Sequence, residues 1–243
     1  MIKFNPICVD NFFDNPDEIR KFGLGLKKEP HYKGSWPGER SDELFKIDED
    51  FNSTLILKIL SGYFDLRYTQ VKWQSSKIYF QLIKPYDKQE DSLKNQGWIH
   101  QDNDNQLAGL IYLTPNADVN SGTSIFKIKP EEEKDYLRHG ILAEKEALFR
   151  SGKILDKDYE EAISIHNNKF IETIRYQNIY NRMISYDSNY FHRANNFCSK
   201  SDDRLTLVYF IENVQVDKYP TERVIDKNNF DLQLKRRINY LNE

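Results

Sequence analysis

His100 and Asp102 stand two positions apart in Trp98-Ile99-His100-Gln101-Asp102. In an extended segment, residues two apart share a face, so one imidazole and one carboxylate can reach a single ion. His192 is the best third ligand, because it follows a strand-like stretch (178–186) and a tight turn at Asp187-Ser188-Asn189. Two imidazoles and one carboxylate on one face of a metal leave coordination positions free for exchangeable ligands, a donor set suited to iron(II). Further along, Arg204 opens the run Arg204-Leu205-Thr206-Leu207-Val208-Tyr209-Phe210. Period-two alternation puts Arg204 and Thr206 on one face and Leu205, Leu207 and Tyr209 on the other. A guanidinium meets a carboxylate through two parallel hydrogen bonds, which an ammonium cannot do. An arginine turned into a small barrel without a partner would be costly, so the pattern predicts an anionic ligand near the metal.

These side chains need a rigid β frame. The sequence predicts strands over 68–74 and 77–84, with Ser75-Ser76 as the turn between them. Further strands are expected over 107–113, 123–128, 204–211 and part of 176–186. Asn15-Pro16-Asp17-Glu18 resembles a helix start, with acidic groups near the positive end of the helix dipole. Leu55, Ile56, Ile59, Leu60 and Phe64 give 51–64 one apolar helical face. Pro30, Gly34, Pro37 and Gly38 mark 31–41 as a loop. From Pro130 to about Glu172 the composition turns helical. Leu137, Ile141, Leu142, Ala147 and Leu148 lie in its first part, and Tyr159, Ile163 and Ile171 are the expected buried contacts of its second. This stretch is expected to be an insertion between two core strands, with a lid over the site as the alternative.

Composition bounds the rest. The chain has 243 residues, enough for one sizeable core, and its 15 Tyr, 15 Phe and 3 Trp favour a β-rich one. A net charge of −3, from 35 basic and 38 acidic residues, argues against long nucleic acid as a partner. Cys8 and Cys198 are too few for a disulfide framework and are expected to be free thiols. The N-terminus carries no apolar signal stretch, and the longest apolar runs are too short for a membrane span. The expectation is a cytoplasmic protein without a membrane partner.

The order of these motifs resembles the double-stranded β-helix (jelly-roll) oxygenases that use iron(II) and 2-oxoglutarate, broadly of the prolyl-hydroxylase-like type. Their sequence of features is His-x-Asp, a Gly-Thr strand, a distal His and a basic residue on the last core strand. Here those are His100/Asp102, Gly122-Thr123-Ser124-Ile125-Phe126, His192 and Arg204. Tyr180-Asn181-Arg182-Met183-Ile184-Ser185-Tyr186-Asp187-Ser188 with Phe191-His192, Arg204-Leu205-Thr206-Leu207 and Trp36-Pro37-Gly38-Glu39-Arg40 are similar to a bacterial and phage branch of that group. The separation of Asp102 from His192 exceeds that of compact members because of the helical insertion.

The resemblance implies a mostly β fold with flanking helices and a jelly-roll core carrying a helical insertion. It implies one oxygenase domain over 1–243, with a supporting region (1–66), core (68–128 and 176–211), insertion (130–175) and C-terminal extension (212–243). It also implies Fe(II) on His100, Asp102 and His192, 2-oxoglutarate chelating the metal with its far carboxylate on Arg204 and Thr206, and O2 as oxidant. The reaction implied is hydroxylation of a C–H bond in an unidentified small molecule or protein side chain, with release of succinate and CO2. Asp102 argues against halogenation, for which the carboxylate is lost.

Asn181 and Tyr112 are expected as further cosubstrate contacts, with Gln81 and Tyr79 as weaker candidates. Trp98 is a candidate pocket wall, and Arg40 a candidate substrate contact. His31, His139 and His166 are expected on the surface. The run Glu131–Glu133 is expected to start a helix, and Lys235-Arg236-Arg237 to sit on the charged face of a final helix. Two competing readings are a catalytically silent jelly-roll binding module and a zinc hydrolase on the same three ligands.

Overall fold

The computed structural model describes residues 4–102, 105–133, 143–152, 156–198 and 203–217. Its elements in chain order begin with β1 (Ile7–Val9), α1 (Pro16–Gly25), β2 (Glu29–Pro30), β3 (Glu39–Arg40), α2 (Leu44–Ile47) and α3 (Glu49–Leu60). Then come β4 (Val71–Lys72), β5 (Ser75–Ile83), β6 (Leu107–Tyr112), β7 (Thr123–Ile128), α4 (Ala143–Ser151) and α5 (Asp156–Asn167). The last are β8 (Phe170–Tyr176), β9 (Met183–Asp187), β10 (Phe191–Ala194), β11 (Arg204–Glu212) and β12 (Gln215–Val216). The major sheet runs β1-β9-β6-β11-β5-β3-β2 and the minor one β10-β7-β8, with β12 and β4 pairing separately.

The two faces of the major sheet have different tasks. Leu205, Leu207, Tyr209 and Ile211 of β11 pack with Leu55, Ile56, Ile59 and Leu60 of α3 in the largest apolar cluster. Asp48 caps α3 by accepting the Phe51 N–H at 2.8 Å. The opposite face turns toward the minor sheet, where Leu110, Tyr112, Ile184 and Val208 meet Ile125 and Tyr176. The molecule is therefore a mostly β jelly roll whose second face encloses the site.

Several local expectations are corrected. Ser75 and Ser76 begin a nine-residue strand and make no turn, because β5 pairs with β11 along its whole length down to Ser75↔Glu212. Glu39–Arg40 lies in the expected loop yet forms a short strand on the β5 edge, with Arg40 opposite Gln81. Within the expected insertion, Ala143–Ser151 and Asp156–Asn167 are helices, whereas Phe170–Tyr176 is a strand of the minor sheet. Accordingly Tyr159 and Ile163 are buried, but Ile171 is 51% exposed. Glu131–Glu133 forms a turn. Leu137, Ile141, Leu142, His139 and Lys235–Arg237 lie outside the described residues. No described helix is long and apolar enough to cross a membrane.

Candidate metal centre

The minor sheet sets the two histidines side by side. Along the free edge of β10, the segment carrying His100 makes an isolated antiparallel bridge with it, His100 directly opposite His192. The two exchange backbone hydrogen bonds of 3.1 and 2.9 Å, so their side chains emerge on one face. Two residues on, the Asp102 N–H donates to Ser188 O at 3.0 Å, which returns Asp102 to the same face. The Asp187–Ser188–Asn189 turn closes as expected, with Tyr190 N–H donating to Asp187 O at 2.9 Å.

One potential ligand atom from each of His100, Asp102 and His192 lies within 4.8 Å of the others. His192 Nε2 is 3.2 Å from Asp102 Oδ2, and His100 Nε2 is 3.7 Å from Asp102 Oδ1. Both rings are oriented by the same device. His100 Nδ1 lies 2.8 Å from Trp98 O, and His192 Nδ1 lies 2.9 Å from Tyr190 O. A carbonyl only accepts, so Nδ1 carries the proton and donates, which leaves each neutral ring with its Nε2 lone pair toward Asp102. This chemistry fits a divalent metal held by two nitrogens and one carboxylate.

The charges differ between the rings. Burial, aided by the neighbouring His192 charge, holds the His100 pKa well below the ordinary imidazole range. Burial also opposes charging of His192, but the attraction and hydrogen bond of Asp102 outweigh it and raise its pKa. Burial disfavours the Asp102 carboxylate, yet His192, His100 and Arg40 hold its pKa below the usual value. A metal must therefore displace the proton of His192 wherever that ring is charged, whereas burial already keeps His100 neutral. Metal affinity is expected to fall about tenfold per pH unit below the raised His192 pKa and to level off above it. An iron(II) titration over roughly pH 6 to pH 9 reads this slope; a flat profile or a two-proton slope would contradict the assignment.

Arg204 and Thr206 lie on the cavity face of β11, as the alternation predicts. They line the same cavity as the three ligand residues, about 300 Å³ in volume. Arg204 is 2% exposed and Thr206 fully buried. Arg204 Nε donates to Ser121 O at 3.3 Å, and its guanidinium sits 5.7 Å from the centre of the Tyr112 ring. Arg204 Nη2 and Thr206 Oγ1 are buried without a hydrogen-bond partner among the described residues. Buried polar atoms are rarely left so, which fits a missing polar ligand. Burial lowers the Arg204 pKa, partly offset by Tyr112 and Tyr186.

Other expected contacts are placed differently. Asn181 is not on a strand or in the cavity; it sits in the loop before β9 at φ 62°. Its amide accepts from Phe13 N and donates to Phe13 O, both at 2.8 Å, tying down the N-terminal segment. Tyr112 lies behind Arg204, and its hydroxyl donates to Thr123 Oγ1 at 2.9 Å. Gln81 lines the cavity, with both ends of its amide taken by Arg40 Nε and Pro37 O. Tyr79 lies outside the cavity lining, its ring facing the Arg40 guanidinium.

The insertion helices form part of the wall. Trp98 lines the cavity and donates from Nε1 to Tyr159 OH of α5 at 2.9 Å. His166 is half-buried: its Nε2 lies 2.7 Å from Ile99 O, and its ring is 5.4 Å from that of Trp98. His31 rests on Trp36 with ring centres 4.0 Å apart. Lys145 and Phe149 of α4 line the cavity and have no counterpart among the sequence-derived candidates, because only the packing of the insertion brings them there. Gly34 shows how tightly the neighbouring loop meets α4. It adopts φ +72°, and a Cβ there would strike the Glu146 carbonyl.

Comparison with known proteins supplies a family and a fold. The model of a family of unknown function, DUF6445, matches residues 4–210. EvdO2 from Micromonospora carbonacea var. aurantiaca is 12% identical, with 91% of each chain covered and a TM-score of 0.50. HygX from Streptomyces hygroscopicus, solved with nickel, 2-oxoglutarate and hygromycin B bound, is 11% identical over 87% of this chain and 84% of its own, also at 0.50. These likenesses establish a shared fold. No curated protein matches the sequence.

Proposed function

We propose that this chain, which belongs to DUF6445, a family of unknown function, is an iron(II)- and 2-oxoglutarate-dependent oxygenase. The observation that carries the reading is the pairing, in one cavity, of a His-Asp-His cluster with Arg204 Nη2 and Thr206 Oγ1, buried polar atoms with no hydrogen-bond partner among the described residues. A metal cluster alone fits several chemistries. An unsatisfied arginine beside it calls for a carboxylate as well.

In this reading His100 Nε2, His192 Nε2 and the Asp102 carboxylate would hold iron(II). The carbonyls of Trp98 and Tyr190 keep both rings aimed. Arg204 and Thr206 bind the far carboxylate of 2-oxoglutarate, and Tyr112 backs the guanidinium. Trp98, Phe149, Phe197 and Tyr186 line the cavity and exclude water. When bound, iron(II) and 2-oxoglutarate supply activation of O2, with one oxygen atom going to succinate and the other to a substrate C–H bond as CO2 leaves. The substrate class is a small molecule or a protein side chain.

The test is succinate release. Iron(II)-loaded protein given 2-oxoglutarate in air is expected to form succinate slowly even without added substrate, and none under nitrogen. Succinate no higher than in an iron-free control would contradict the proposal.

A further inference from the structure

Two cations in the cavity are not used by the proposed metal and cosubstrate sites. Arg40 and Lys145 line it with Arg204, whereas Asp102 is the one carboxylate lining it among the described residues. A divalent metal and a dianionic cosubstrate would cancel each other, so a surplus of two positive charges would remain. Buried or half-buried cations without a counter-charge are costly, and the surplus favours a bound anion.

Arg40 is held in place by neighbours that leave its charge available. The Arg40 guanidinium stacks 4.3 Å from the centre of the Trp36 ring, and its Nε donates to Gln81 Oε1 at 3.1 Å. Register places Thr206, Gln81 and Arg40 in one row across β11, β5 and β3. Arg40 therefore starts about two strand spacings, roughly 10 Å, from Thr206, away from the cosubstrate end. Lys145 arrives from α4, against which the loop carrying Trp36 is pressed at Gly34. Trp36 Nε1 is a buried donor on the same wall, with no partner among the described residues. Arg40 and Lys145 line the same cavity as the metal cluster; burial opposes their charged forms, whereas Asp102 favours both, with Tyr79 adding to it for Arg40 and Glu146 for Lys145. No comparable effect on Arg204 comes from Asp102.

We propose that the substrate carries an anionic group, a carboxylate or a phosphate, held by Arg40, Lys145 and the Trp36 indole N–H on the wall formed by the 31–38 loop and α4. This rests on the oxygenase reading for its place in a reaction, but the anion subsite can be measured separately.

The probes are inorganic phosphate and benzoate, each titrated by calorimetry into anaerobic protein saturated with iron(II) and 2-oxoglutarate. At least one is expected to bind, which also distinguishes a phosphate from a carboxylate. Lys145→Met and Arg40→Met are each expected to weaken that probe by tenfold or more, while 2-oxoglutarate still binds. Two variants guard against a misfolded one. Binding of neither probe, or unchanged binding in both variants, would overturn the proposal. So would loss of 2-oxoglutarate binding in both folded variants, since the cations would then serve the cosubstrate. If the wild-type protein binds no 2-oxoglutarate, the oxygenase reading fails. The same titration in metal-free Arg204→Met protein then still decides the subsite, with Lys145→Met added as the comparison.

Discussion

Asp102→Ala is expected to yield folded protein that retains no stoichiometric iron(II) after dialysis. Asp102 contributes the one carboxylate in the described cavity lining, so its removal leaves two neutral imidazoles as the donor set. Loss of a group merely supporting a ligand costs about 10- to 100-fold in metal affinity, and loss of a ligand should exceed that range. The fold should survive. His192 owes its raised pKa to Asp102, so without the carboxylate its ring is more readily neutral, and Arg40 and Lys145, which lose the same counter-charge, face the cavity. Metal analysis beside a circular dichroism spectrum reads both parts. Wild-type iron content in the variant would remove Asp102 from the metal site.

Arg204→Met should move binding and stability in opposite directions. Truncating one partner of a buried, hydrogen-bonded charge pair costs about 2–5 kcal/mol. The affinity for 2-oxoglutarate should therefore fall roughly 30-fold to several thousand-fold. Arg204→Lys should recover only part of the loss, because a point charge lacks the planar fork. Without cosubstrate the same side chain is a liability. It is 2% exposed, and Nη2 is unsatisfied among the described residues. Replacing a buried ionic group with a packed hydrophobic one is often neutral or stabilising, by up to about 4 kcal/mol. Urea unfolding of the cosubstrate-free variant should give a midpoint at or above wild type. Undiminished 2-oxoglutarate affinity would assign Arg204 a structural role.

What could be read from the sequence depended on the range of the physics involved. His100 and Asp102 share a face because alternation acts over two residues, and the structure keeps their ligand atoms together. The same rule separated Arg204 and Thr206 from Leu205, Leu207 and Tyr209, which now line the cavity and the α3-facing core respectively. Failures occurred where distant partners decide. Ser75-Ser76 has local turn chemistry, but pairing with β11 and the hydrogen bond from Ser75 Oγ to the Glu212 carboxylate keep it extended. Phe170–Tyr176 buries only its two ends, so its alternation was too weak to distinguish a strand from a helix. Asn181, an expected cosubstrate contact, instead sits in a left-handed turn that asparagine tolerates and anchors Phe13. Lys145 carries no short-range signal, since its place depends on how α4 packs across the cavity.

The central claim is that one cavity joins a His-Asp-His iron site to an arginine that receives a dicarboxylate. Titrating 2-oxoglutarate into the anaerobic iron(II) protein, and following visible absorption, tests it without knowledge of the substrate. A saturable metal-to-ligand charge-transfer band is predicted, absent in Asp102→Ala and requiring far more 2-oxoglutarate in Arg204→Met. No band, in folded protein shown to carry iron, would contradict the account.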